Sequence, residues 1–168
     1  MTPRPTPRLT GYAALVLGGL LSALALRRAE LVVAAAPFAL VLALGLTRPA
    51  PAVKVGFTLG TERALEGDPV AATLLLRSDA PVARLEARLA LPAGVELDGE
   101  SLPAAFRLGR DDERELELAL RARWGSWNVG DVRLRARDRF GVLAWEQRIE
   151  REHTLQTYPR PEQLRRLL

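Results

Sequence analysis

Apolar residues are arranged along this chain in two different ways. From Leu9 to Leu26, and again from Leu31 to Leu46, they run on without a charged residue, and Arg27, Arg28 and Glu30 lie between the two runs. As helices these runs extend about 27 Å and about 24 Å at 1.5 Å per residue, close to the hydrocarbon thickness of a bilayer. Neither has the polar face of an amphipathic surface helix, so a buried soluble hairpin fits less well. The pattern predicts a transmembrane helical hairpin over 9–47. Pro37 is tolerated in a membrane helix, and Arg48 can snorkel at the end of the second run. A competing reading makes the first run a signal peptide, with Arg4 and Arg8 as its positive region and Ala23-Leu24-Ala25 as its cleavage site. The second apolar run favours the hairpin.

Past residue 52 the period changes to two. Val53, Val55, Phe57 and Leu59 alternate with other residues, as do Val70, Ala72, Leu74 and Leu76 after the turn Glu66-Gly67-Asp68-Pro69. Leu85, Ala87, Leu89 and Leu91 form one face against Arg84, Glu86 and Arg88, and Pro92-Ala93-Gly94 turns into a short strand from Val95 to Leu97. Leu116, Leu118, Leu120 and Ala122 alternate against Glu115, Glu117, Arg121 and Arg123. Val132, Leu134 and Ala136 continue the pattern, and a last pair of strands covers Val142 to Ile149 and Thr154 to Tyr158. Roughly seven to nine short strands with regularly spaced turns predict a mainly β, antiparallel, immunoglobulin-like sandwich over 53–160.

The flanking pieces follow from composition. Residues 1–8 are Pro-rich and read as a disordered or extended tail. Residues 48–52 hold Pro49 and Pro51 and read as a short stiff linker. Residues 161–168 look like the start of a helix, as if the chain were truncated there.

The net charge of +4 changes the picture little. Lys54 is the only lysine, and arginine in place of lysine, with much Ala, Gly, Pro and Leu, reads as a GC-rich coding bias that accounts for part of the arginine excess. Without clustered charge or a recognisable module, a nucleic-acid partner is not expected. The absence of cysteine excludes disulfides, thiolate nucleophiles and cysteine metal sites.

Catalytic raw material is scarce. His153 is the one histidine, and the serines are Ser22, Ser78, Ser101 and Ser126. A serine triad needs a base beside the nucleophile and an acid orienting it, and no G-x-S-x-G elbow is present. Asp111-Asp112-Glu113 reads as a solvated hairpin turn rather than a cation site. No enzyme activity, cofactor, metal or small-molecule substrate is expected. Arg133, Arg135, Arg137 and Arg139 share one strand face by period two. That face is either solvated and relieved by Glu115, Glu117 and Glu146, or a docking face for an acidic protein or anionic headgroups. Trp124 and Trp127 read equally as core-edge residues or interface anchors.

Arg123-Trp124-Gly125-Ser126-Trp127-Asn128-Val129-Gly130, then Asp138-Arg139-Phe140-Gly141-Val142, then Tyr158-Pro159 resemble motifs of the domain-of-unknown-function 58 family. The middle run is similar to its D-P-F-G-L corner, with Arg139 in place of the proline. The resemblance implies two membrane helices, an immunoglobulin-like sandwich and a MoxR-type AAA+ ATPase system as protein partner. It marks Trp124, Gly125, Gly130, Asp138, Phe140, Gly141, Tyr158 and Pro159 as structural motif residues. Physically, Asp138 can accept backbone N–H bonds across the turn, Gly141 can take a positive φ, and Phe140 is expected to plug the sandwich end. The family's later von Willebrand factor A-like half, with its D-x-S-x-S metal motif, has no counterpart in this chain. The chain is therefore expected to be a fragment or a shortened relative.

Together these readings predict a non-catalytic, multi-pass membrane-anchored scaffold with a cytosolic β-domain. Arg4, Arg8, Arg48 and Lys54 flank the tail-and-domain side, against Arg27 and Arg28 in the connecting turn. The alternative is an exported cell-envelope binding or adhesion domain whose first apolar run is cleaved.

Overall fold

The computed structural model describes residues 1–98 and 105–160. The expected helix over 161–168 lies outside the described residues. The chain opens with a short strand, β1 (Thr2–Pro5), followed by α1 (Pro7–Leu26) and α2 (Glu30–Leu46). Pro7 occupies the first turn of α1, where its missing N–H is no loss. Arg27 ends α1 in the left-handed region at φ 54°, and the next N–H, that of Arg28, reaches back to the Ala23 carbonyl at 3.0 Å.

The two helices pack through small residues. Gly19 lies against Ala35, where a Cβ on the glycine would stand 2.8 Å from the alanine Cβ. Ala23 and Ala35 are buried, and the Tyr12 and Phe38 rings meet at 6.2 Å. Spacing small residues one turn apart lets helix backbones approach closely. The outer faces are bare: Leu17, Leu21, Leu24, Val33 and Leu40 are all exposed. By length and composition α1 is able to cross a membrane or act as a signal sequence, whereas α2 is a shorter apolar helix of 17 residues.

The rest is mainly β, and its sheets share one core. Strands β2 (Val53–Leu59), β4 (Pro69–Ser78), β6 (Val95–Leu97) and β8 (Glu113–Ala122) form an antiparallel sheet in the order β2-β4-β8-β6. A second antiparallel sheet contains β5 (Val82–Ala90), β7 (Phe106–Leu108), β10 (Asp131–Arg137) and β11 (Leu143–Ile149) in the order β1-β11-β10-β5-β7. A third sheet holds β12 (His153–Tyr158) between β3 (Arg63–Leu65) and β9 (Gly125–Val129). The β3–β12 pair is parallel, the exception to the antiparallel expectation among the described residues.

The period-two alternation does what it predicts. Val70, Ala72, Leu74 and Leu76 point inward from β4, and Val132, Leu134 and Ala136 from β10. They close on Val55, Phe57, Leu85, Ala87, Leu120, Trp145 and Leu155. Truncating a fully buried leucine such as Leu74 costs about 2–5 kcal/mol.

Three boundaries add to or differ from the sequence reading. Of the two conformations expected of the tail, disordered or extended, Thr2–Pro5 takes the extended one and pairs with Glu146–Leu143 as an edge strand. Prolines suit such an edge, because the outer side of an edge strand needs no N–H donors. The strands β3 and β7, of three residues each, are too short to show a period. Arg139 lies in the turn after β10 rather than on it.

Candidate functional site

The chemically richest place is the corner between β10 and β11. Asp138 is buried, and its two carboxylate oxygens accept the backbone N–H groups of Phe140 and Leu143, each at 3.2 Å. Gly141 has φ 69°, a left-handed conformation that strains any residue with a Cβ. Phe140 does not plug the sandwich. It is half-buried, and the Arg48 guanidinium lies over its ring at 5.7 Å. The fully buried residue of the corner is Val142.

The corner is where the helix pair attaches. The Thr6 backbone N–H donates to the Val142 carbonyl at 3.2 Å, and the Thr6 hydroxyl is directed at the carbonyls of Gly141 and Val142. A threonine before a helix ordinarily caps it, but Thr6 makes no such bond because its hydroxyl faces the corner instead. The Arg8 side chain passes over Gly141, with Nη1 3.1 Å from where a Cβ would stand. Gly45, at the end of α2, abuts Val142. Strand, first helix and second helix thus all reach the same five-residue turn.

Around this corner lie two adjoining clefts of about 820 Å3 and about 690 Å3. Arg107, Arg137 and Arg139 line both, Arg8 and Arg84 line the first, and Arg48 lines the second. The sequence pointed to Arg137 and Arg139 here but not to Arg8, Arg48, Arg84 or Arg107. Those four come from separate elements, so no spacing rule joins them.

The expected arginine face exists only in part. Arg133 and Arg135 are exposed and Arg137 is half-exposed on β10, with Arg88, Glu86 and Arg84 opposite them on β5. Relief comes from Glu86 and Glu146. Arg84 lies 3.1 Å and Arg137 3.8 Å from Glu86, and Arg135 lies 3.5 Å from Glu146. Glu115 and Glu117 cannot contribute, because β8 belongs to the opposite sheet. Arg121 likewise pairs away from this face, with Asp98 at 2.8 Å. Arg148 is raised above the ordinary arginine range by its hydrogen bond to Asp131 and by the charges of Asp131 and Glu150.

The remaining motif residues hold the third sheet. The Arg123 carbonyl accepts the Trp127 indole N–H at 2.8 Å and also the buried Thr157 hydroxyl. Gly125 opens β9 beside Trp127, while Trp124 is exposed. Gly130 has φ 114° and faces the Arg151 carbonyl, which stands 2.8 Å from where a Cβ would be. Tyr158 ends β12, and its carbonyl accepts the Glu66 N–H at 2.8 Å; Pro159 follows it. His153 starts β12 with its ring 5.5 Å from Phe57. Asp112 stabilises the β7–β8 turn by accepting the Gly109 and Glu113 N–H groups.

No family model matches the chain, and no curated protein does. Among solved structures, it is similar to the part of native Escherichia coli alpha-2-macroglobulin that runs from domain MG7 to the C-terminus. That likeness has 22% identity and a TM-score of 0.45, and covers 66% of this chain and 17% of that one. The same protein in its native conformation by electron cryo-microscopy gives 22% identity and a TM-score of 0.43, over 64% of this chain and 7% of that one. A FixG-related protein from Vibrio parahaemolyticus gives 8% identity and a TM-score of 0.36, over 60% of this chain and 94% of that one.

Proposed function

We propose that this protein is a non-catalytic, membrane-anchored scaffold that presents its β-sandwich to a protein partner. In this reading α1 and α2 both cross the bilayer, so the chain is multi-pass and the sandwich stands on the side where the chain began. At 17 residues α2 is at the lower end of spanning lengths. The observation that carries the reading is the attachment of the helix pair to the sandwich. Apolar, outward-facing helices are tied by Thr6, Arg8, Gly45 and Arg48 to a single corner. An anchor joined this way orients the domain on the membrane as well as retaining it there.

The same feature weighs against removal of the first helix. Cleavage near Ala25 would strip β1 from the edge of β11 and take away the Thr6 bonds to Val142. The motif resemblance supports a MoxR-type AAA+ ATPase system as the partner, and the positive-inside count supports a cytosolic domain that such an ATPase can reach. The alternative, an exported domain, draws on α1 alone meeting the length and composition of a span.

Reporter fusions after Leu168 test the topology, together with the mass of the mature N-terminus. Fluorescence of a green fluorescent protein fusion, with Met1 or Thr2 retained, is the expected result. Strong alkaline phosphatase activity with a dark fluorescent fusion, or a start near Leu26, would establish the exported domain instead.

A further inference from the structure

We propose that the clefts at the base of the helix pair bind the phosphate of an anionic phospholipid headgroup, in the leaflet facing the sandwich. This rests on the membrane-anchored reading above. The clefts gather Arg8, Arg48, Arg84, Arg107, Arg137 and Arg139 around one corner. Asp138 is the one carboxylate among the lining residues, and it and the carboxylates adjoining the clefts are engaged: Asp79 accepts the Ala52 N–H, and Asp112 accepts those of Gly109 and Glu113. Glu86 holds Arg84 and approaches Arg137, and Asp138 accepts the two backbone N–H groups of its own turn. Among the described residues, Arg8, Arg48, Arg107 and Arg139 form no ion pair, and the buried Nε of Arg137 has no acceptor. A concave site with so many guanidinium groups and so few counter-charges is relieved by an anion with several oxygens, and guanidinium forks match phosphate geometry.

Position selects the source of that phosphate. The lining comes from the start of α1 (Pro7 and Arg8, with Thr6 just before the helix) and from the exit of α2 (Arg48, Pro49, Pro51). If α1 and α2 span the bilayer, these are the residues that stand at headgroup depth. Basic groups at that depth are where anionic lipids concentrate. The rest of the arginine face, around Arg88 and Arg133, lies four residues further along the strands from the Arg84–Arg137 pair, about 13 Å away. It therefore serves as an internal control of equal charge.

The experiment uses the full chain in neutral detergent. Phosphatidylglycerol or phosphatidylcholine is titrated in, and bound lipid is counted by native mass spectrometry. Tight, selective retention of phosphatidylglycerol is expected. In the double variant Arg107→Gln/Arg139→Gln its affinity should fall about twenty-five-fold, taking about fivefold for each charge near the lipid surface. Both side chains are exposed and leave no carboxylate unpaired, and an unchanged thermal melt verifies the fold. The double variant Arg88→Gln/Arg133→Gln should bind as the parent does. Equal loss in both double variants, or no preference for phosphatidylglycerol, would overturn the proposal. Complete displacement of the lipid by millimolar inorganic phosphate would overturn the lipid as the source. Flotation of the chain with phosphatidylcholine vesicles after carbonate washing separates the two readings. A chain that fails to float defeats the anchor itself, whereas one that floats without lipid selectivity defeats only the headgroup site.

Discussion

Gly45 stands against Val142 so closely that a Cβ at position 45 would lie 2.9 Å from the valine's Cβ and from its Cγ2. This contact joins the last turn of α2 to the corner between β10 and β11. Val142 is fully buried although it belongs to a turn. It lies outside the sandwich's continuous apolar core and is covered on the helix side. The corner is therefore a socket, and the helix pair is what fills it.

Gly45→Leu should pry the helix from the corner. The expected readout is faster trypsin cleavage at Arg139, exposed in the corner itself, in the full chain, with the sandwich melt shifted by less than its core variants shift it. Val142→Ala should restore slow cleavage to a Gly45→Ala chain, because the two changes exchange volume across one contact. Additive effects in that double-mutant cycle would show that the residues do not touch.

Gly141→Val should destabilise the fold by about 1–3 kcal/mol. A β-branched residue resists φ 69°, and its side chain would also meet Arg8. Denaturant midpoints of the full chain measure this, and an unchanged midpoint would place Gly141 in an ordinary conformation.

Residues 53–160 should fold without the helices. Every member of the buried core cluster lies between Val53 and Leu155. The isolated segment should give a β-rich circular dichroism spectrum and a cooperative melt, at lower temperature than the full chain because β1 no longer covers the β11 edge. A spectrum of disordered chain would refute an autonomous sandwich.

Gly94→Ala should displace Trp127. A Cβ at 94 would overlap the indole ring of Trp127, and forced overpacking costs about 1–3 kcal/mol. A red-shifted tryptophan emission alongside a lower denaturant midpoint is the expected pair of signals, and neither should change if the ring already points elsewhere.

What the sequence reveals and what it hides divide along physical lines. The long strands are legible because half-buried sheets impose a period of two, as Val70 to Leu76 and Val132 to Ala136 show. The positive φ of Gly141 and the acceptor role of Asp138 are legible because a tight corner needs both. β1 is hidden, because Pro3 and Pro5 argue against a strand until an edge is known to be available. The choice of Val142 over Phe140 as the buried residue is hidden too, because it depends on Gly45, far away in sequence. The basic clefts stay hidden for the same reason. Arg8, Arg48, Arg84 and Arg107 come from four separate elements and meet only in the folded chain.

The bond between Thr6 and Val142 spans 136 residues of sequence, which has a consequence for how the protein is made. A ribosome adds about 5–20 residues per second, so Thr2–Pro5 waits on the order of ten seconds for its partner strand to be synthesised. Both apolar helices have left the ribosome by then. The helix pair is thus synthesised before the corner that holds it, and the corner can form only once the last strands of the sandwich have followed.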